Sequence, residues 1–599
     1  MKKLEEIQSR KVMSAYGGVQ SIIETAENGS LLVDFYDNWK CFNDKIEIKD
    51  PRLLNHIVEM DGYEGVMSIL KVPTPDLEQK KYYPDRNDTR QTIKSGYFPG
   101  WFYCPNGNCR RLHTFAEWKK KWEELFPGDG NYGDHFPACP YCSKETGKGK
   151  NKRILRQSLE QIRFLLASAD SGKLLDVPFK EIWGINQQGK AWVMDNQKSS
   201  TAELTYRSSS GSDGLQSIYV RNEESGERIS LSLIASKYIV YSKGENKGAY
   251  RLYLRNQNNI YYPEVINSLY IPFKDIEDSH KSAIISSFNN GKGVSEIYSE
   301  LQANQWVPKD LKDLSENDIQ NIINGKLDYD AQEFAYIINP NNYGKSTFLN
   351  YKDSDFVAKK YPNIQVPFVR CMYTIQRLKM TSVVPYFSRI STSNSKKHEI
   401  QWWNVDKGCE VKEFRPPKMK TYSNNNGVDF IPGVESYGEG IFFEMDVTNI
   451  EEGERLIFVH TYSHMIMKEL EFQCGYPLSS MKEKLYSKNN GSEWGILIYT
   501  IGGSEGSYGG LISLFPSNAT SNGINSRIVK IIDYAMERVK DCPNDPICSE
   551  DDKHPGHCYA CLDIPEISCC QWNQELNRNI FIKYKQQLDN LSPNVPLDA

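Results

Sequence analysis

Short runs rich in β-branched and aromatic residues fill positions 192–272. SIYVRN, YIVYS, YRLYLRN and NSLYIPF each read as a strand. The period then lengthens: residues 277–338 carry apolar positions at helical spacing. Asp330 and Glu333 stand at capping-box spacing and place a helix start just before FAYII. A helix is predicted over 451–485, then a strand WGILIYTI, a glycine turn and LISLF. Residues 1–160 are mixed, with turns at NGS and MDGYEG and a polar, basic end, SKETGKGKNKR. STSNSKKHEIQ and KTYSNNNGVD read as loops, and no internal repeat is visible. The pattern is that of a multidomain α+β protein.

Composition agrees with packed cores. Of 599 residues, 39% are apolar, 12% aromatic and 25% charged, which excludes wholesale disorder. The net charge of −5 excludes a polycation, so nucleic-acid contact requires a local basic patch. The start, MKKLEEIQSRKVMSAYGG, lacks the apolar core of a signal peptide, and no apolar stretch of membrane-spanning length is present. A cytoplasmic protein without membrane contact is expected. In that compartment 14 cysteines point to metal rather than disulfides.

The stretch FAYIINPNNYGKSTFLN ends its charged part in GKST, like a phosphate-binding loop. Such a loop needs a first glycine between strand and helix. Asn339 stands there, Pro340 follows with no N–H to offer, and the preceding segment reads as a helix. The stretch is read as a surface turn, so any ATP hydrolysis belongs to a partner.

Cysteines carry the strongest signal. Cys104 and Cys109, then Cys139 and Cys142, form two close pairs around a helix predicted near Trp118, a zinc-ribbon-like spacing. Arg110, Arg111, Lys144, Lys148, Lys150, Lys152 and Arg153 flank them, a solvated face that can also follow phosphates. Trp101 and Tyr103 are read as packing the module rather than stacking on bases. The second quartet is Cys542, Cys548, Cys558 and Cys561, with Cys569 as reserve ligand and His557 a weaker one. Four protein ligands leave no open position, so about two structural Zn2+ ions are predicted. His460 and His464 lie four apart on a helix, but Thr461 stands where a metalloprotease has glutamate, so they read as packing histidines. The glycines of GGSEGSYGGL read as a tight turn. No catalytic residue is assigned.

The C-terminal part, HTYSHMIMKELEFQCGYP, GILIYTIGGSEGSYGGLISL and CPNDPIC…CYACLDIPEISCCQWNQELNR, resembles the MrfA-type zinc-binding domain that accompanies superfamily 2 helicases. QSRKVMSAYGGVQSIIE, FPGWFYCPNGNCRRL, NNIYYPEVINSLYIP, RLKMTSVVPYFSRI and PGVESYGEGIFFE follow in the order of the DrmB family of the DISARM anti-phage system. The sequence departs from that family at GKLLDVPF, with Lys173 and Leu175 where histidine and aspartate are usual, and it has no cysteine between Cys142 and Cys371. The resemblance implies a non-catalytic subunit of a DrmA-like helicase that assists DNA binding. It also implies four regions: 1–160 with the zinc-ribbon-like four-cysteine module, a strand-rich then helical 161–350, a connecting α/β region 351–450, and an α/β MrfA-type zinc-binding domain over 451–599. The alternatives are a stand-alone nucleic-acid-binding zinc protein, or a metal-dependent nuclease or hydrolase using His460, His464 and Glu505.

Overall fold

The structure is a computed structural model. It describes residues 18–25, 29–33, 47–60, 62–71, 95–129, 132, 135–147, 153–168, 172–183, 185, 191–194, 197–208, 214–270, 278–304, 307, 311, 316–323, 329–338, 358–390, 422–423, 429–488, 491–501, 510–548 and 556–591. The turn at GKST and the glycines 502–509 lie outside these. The α+β class is borne out, with helices and several separate sheets. The chain forms two compact units, each assembled from separate stretches: 1–47, 70–266 and 383–434 in the first; 48–69, 267–382 and 435–599 in the second.

In the first unit, β1 (Trp101–Tyr103) pairs with β2 (Leu112–Thr114), which runs directly into helix α1 (Phe115–Leu125). Thr114 caps that helix: Glu117 N donates to its Oγ1 at 3.4 Å, and Thr114 N donates to Glu117 Oε2 at 3.0 Å. The helix buries Trp118 and Trp122 beside Phe102, Cys104, Cys139 and Leu159. Trp118 Nε1 donates to the Phe102 carbonyl at 2.9 Å, so its one polar atom is satisfied in the core. Strands β3 (Ala138–Thr146) and β4 (Arg153–Ser158) pair antiparallel, with a register shift between Cys139 and Lys144. A five-stranded sheet follows, in which the predicted strands YIVYS and YRLYLRN are Tyr238–Tyr241 and Gly248–Leu254. SIYVRN is Ile218–Asn222, in a three-stranded sheet. The fully buried Arg389 ties this unit together through backbone carbonyls, donating to Ile260 at 2.8 Å, Gln20 at 2.7 Å and Gly172.

In the second unit the predicted helical region is present, as helices 278–289, 294–303 and 316–323 and α2 (Tyr329–Ile338). The predicted helix start before FAYII is borne out, but Asp330 and Glu333 do not form a capping box. The helix starts at Tyr329, and Glu333 points into the protein instead. The main sheet of this unit includes, in spatial order, residues 369–382 of β5 (Val369–Ser388), residues 435–445 of β6 (Asp429–Met445), β8 (Glu493–Ile501) and β7 (Met481–Lys488). The runs GIFFEM and WGILIYTI are almost continuously apolar because both faces of these strands are covered. Ile441, Phe443, Ile496 and Ile498 join one core; Phe442, Leu497 and Tyr499 join the other. Gly495 makes room for this packing, since a Cβ there would lie 2.4 Å from Phe442 and 2.9 Å from Phe334.

Helix α3 (Arg455–Cys474) lies in the first of those cores with α4 (Arg527–Arg538) and α5 (Arg578–Leu591). It is buried along its length from Phe458 to Met467, so it shows no polar stripe. It stops at residue 474, well short of the predicted end at 485. Gly475 takes the left-handed conformation at φ 71° and returns its N–H to Glu471 O at 2.9 Å. Pro477 then prevents continuation, and the segment that was expected to stay helical becomes β7.

Candidate metal centres

Both predicted quartets assemble. In the first, β1 ends just before Cys104, the CPNGNC turn returns Cys109, and the register shift in β3 gathers Cys139 and Cys142. Cys104 and Cys142 sulfurs lie 3.7 Å apart, Cys109 and Cys139 sulfurs 3.9 Å. In the second, Cys542 lies 3.5 Å from Cys558, and Cys548 lies 3.7 Å from Cys561. Within each quartet all four sulfurs are within 4.8 Å of one another. A tetrahedron of four thiolates at the usual Zn–S length has sulfurs about 3.8 Å apart. The geometry fits that ion, and the chemistry of the donors suits zinc or another soft cation.

Without a cation the sulfurs of one quartet compete for protons. Cys109, bonded to both Cys104 and Cys139, is held far below the usual thiol range, while the same bond lifts Cys104 to about 12. Burial raises Cys548 to about 11. Burial also acts to raise Cys558, but the backbone N–H groups of Ala560 and Cys561 and its bonds with Cys542 and Asn544 bring it down to about 7. A thiol so easily deprotonated is poised to ligate metal.

Two asparagines support the quartets, and the sequence reading missed them. Asn106 Nδ2 donates to Cys142 sulfur at 3.4 Å, and Asn544 Nδ2 donates to Cys558 sulfur at 3.4 Å. Each follows a cysteine and a proline, so the repeated Cys-Pro-Asn at 104–106 and 542–544 was the available signal.

The flanking basic residues divide. Arg111 is engaged internally: its guanidinium lies 3.2 Å from Glu203, 3.7 Å from Cys109 sulfur and 4.1 Å from the centre of the Tyr141 ring. Arg110 is half-buried with φ 52°, and Lys144 and Arg153 are exposed. Lys148, Lys150 and Lys152 lie outside the described residues. Trp101 is buried against Phe179, and Tyr103 packs on Tyr206 with ring centres 4.7 Å apart, so both serve packing, though in the neighbouring core and not in that of the first quartet.

The reserve ligand Cys569 is not beside the C-terminal quartet. Its sulfur lies 3.2 Å from His460 Nε2, in a buried group with His464 and Glu483. His557 is likewise outside the quartet, with Nδ1 2.7 Å from Asp563. His460 and His464 are fully buried as expected, yet they face a carboxylate rather than an apolar core. Glu483 was not singled out in the sequence; only the placement of β7 beside α3 brings it there. Glu505 lies outside the described residues.

Comparison with known proteins gives first a domain class. Residues 8–262 match a family described as "Domain of unknown function (DUF8724)". The particular relative is a "DISARM protein DrmB" of Bacillus paralicheniformis, to which this chain is 23% identical over 557 residues, 81% of this chain and 88% of that protein. The resemblance to DrmB read from the sequence is thus borne out along most of the chain. A crystal structure of the "DUF1998 helicase MrfA bound to DNA" aligns at a TM-score of 0.21 and 8% identity, covering 40% of this chain and 25% of that one. At that score the likeness carries no argument. Among the described residues no helix is long and apolar enough to cross a membrane.

Proposed function

We propose that this chain is a non-catalytic, zinc-binding subunit of a bacterial anti-phage defence complex, partnered with a DrmA-like superfamily 2 helicase. The observation that carries the reading is its similarity to a DISARM DrmB over 81% of its length. Cysteine chemistry supports the subunit role. Each quartet supplies four protein sulfurs, a closed coordination set suited to structure and not to activating water. Zinc held there replaces a large local core and keeps the surrounding loops rigid. Rigid loops lose less conformational freedom on docking, which favours a lasting interface with a motor. On this reading residues 1–160 form the N-terminal zinc module and 451–599 the MrfA-type zinc-binding domain, with 161–350 and 351–450 between them. The complex works in the cytoplasm, and the basic residues Arg110, Lys148, Lys150, Lys152 and Arg153 follow DNA phosphates, while Arg111 is held by Glu203.

Co-expression with a DrmA-like helicase tests the partnership: a stable complex is expected, with ATP turnover confined to the helicase. ATP hydrolysis or DNA cleavage by the purified chain alone would overturn it. A nuclease built on His460 and His464 is disfavoured because both side chains are fully buried, out of reach of a polymer.

A further inference from the structure

His460, His464, Glu483 and Cys569 come from three separate places in the second unit: helix α3, strand β7 and the loop after the C-terminal quartet. Their ligating atoms all lie within 4.8 Å of one another, and each residue is buried. His460 Nε2 is 3.0 Å from Glu483 Oε1 and 3.2 Å from Cys569 Sγ; His464 Nε2 is 3.2 Å from the same Oε1.

The far side of each ring fixes its tautomer. His460 Nδ1 faces the carbonyl oxygen of Glu575 at 3.2 Å, and His464 Nδ1 faces that of Leu562 at 2.9 Å. A carbonyl can only accept, so each Nδ1 carries the proton. In the neutral ring each Nε2 is then a bare lone pair. Two such lone pairs point at one carboxylate oxygen, which is itself an acceptor, and one also points at a sulfur. Cys569 Sγ accepts N–H bonds from Asn573 at 3.1 Å and Gln571 at 3.3 Å, so the sulfur too is held as an acceptor. Glu483 Oε2 has no hydrogen-bond partner although it is buried. Acceptors converging in a buried space repel one another unless positive charge sits between them.

Protons could supply that charge only by occupying the carboxyl or the sulfur, or by making a ring cationic. A divalent cation supplies it without residue: two neutral imidazoles, a thiolate and a carboxylate carry two negative charges together, so the filled site is neutral. Imidazoles that ligate metal through Nε2 while Nδ1 donates to a backbone carbonyl are the usual arrangement around zinc. The mixed nitrogen, oxygen and sulfur set suits zinc, and tetrahedral N···O edges of about 3.3 Å follow from the usual bond lengths.

We propose that His460, His464, Glu483 and Cys569 bind a third zinc ion, distinct from those of the two cysteine quartets. With four protein ligands and full burial, it clasps α3 to β7 and to the loop after Cys561. Nothing in this rests on the helicase partnership, and loss of that partnership leaves the metal count unchanged.

The test is anomalous diffraction at the zinc edge from crystals of the full chain purified without chelator, with elemental analysis of the same preparation. About three zincs per chain are expected, with one anomalous peak between His460 Nε2 and Cys569 Sγ. Peaks at both quartets and none at the histidines would overturn the proposal. In solution, His460→Ala/His464→Ala should lose one zinc while the quartets keep theirs. A folded double variant with an unchanged zinc count would equally overturn it. Should that variant fail to fold, the diffraction result on the unaltered chain still decides.

Discussion

Asn106 and Asn544 show how a single amide can set the quality of a metal site. Each donates an N–H to a cysteine sulfur of its quartet, spreading the negative charge that a cluster of thiolates accumulates. Asn544→Ala is expected to weaken zinc retention by the C-terminal quartet by about tenfold. Chelator competition followed by a chromogenic zinc indicator would measure this, and Asn544→Asp should weaken it further by adding a like charge. Gly495 is a second site where one atom matters. Gly495→Ala drives a methyl into Phe442 and should cost about 1–3 kcal/mol, read from urea unfolding. The four-cysteine spacings made these quartets legible in the sequence, because the ligands of each are close along the chain. The role of Glu483 was not legible, since its neighbours are set by strand placement rather than by spacing.

At the scale of elements, α2 and β7 meet through buried charge. Glu333 is fully buried and accepts from Tyr486 Oη at 2.8 Å, Lys484 Nζ at 2.6 Å, the Leu269 N–H at 2.9 Å, and Arg52. Burial alone would raise its carboxyl, but Lys484 and Arg52 more than offset that and hold it below the usual carboxylate range. Its folded pKa is therefore lower than its unfolded one. The stability it contributes is complete above the ordinary carboxylate pKa and is lost as pH falls through the depressed value. Chemical denaturation followed from neutral pH down to about pH 3 should show this acid loss, and Glu333→Gln should flatten the slope. Glu333→Ala leaves Arg52 and Lys484 buried without their shared carboxylate and should cost about 3–5 kcal/mol. Capping-box spacing pointed to a different job for this residue, because sequence spacing cannot tell a solvent-facing first turn from one pressed on a sheet. The end of α3 was misread for a related reason. Apolar residues in MKEKLY fit a helical period over a short window, although Gly475 and Pro477 mark the stop.

The whole molecule keeps one cysteine quartet in each of its two units. Metal removal should therefore open each unit around its own quartet. Hydrogen exchange after chelation is expected to rise first across 101–158 and 542–576, with β5 and β6 exchanging last. Cys139→Ser should confine the increase to the first of those regions, and Cys561→Ser to the second. The discontinuous make-up of the units was not legible in composition, because each returns to the chain after long excursions and no linker marks the crossings. Strand and helix identity survived that difficulty. Period and residue type are local properties, and they located Tyr238–Tyr241, Gly248–Leu254 and Glu493–Ile501 correctly.

Adjacent residues on β7 send their side chains to opposite faces of the sheet: Glu483 to the two histidines, Lys484 to Glu333. A slip of this strand that moves Glu483 into the place of Lys484 would bring Lys482 to the histidines. Lysine would then confront the imidazoles, and two glutamates would be trapped together on the other side. Such a misthreaded strand would be penalised on both faces at once, so the alternation of glutamate and lysine along β7 favours a single register.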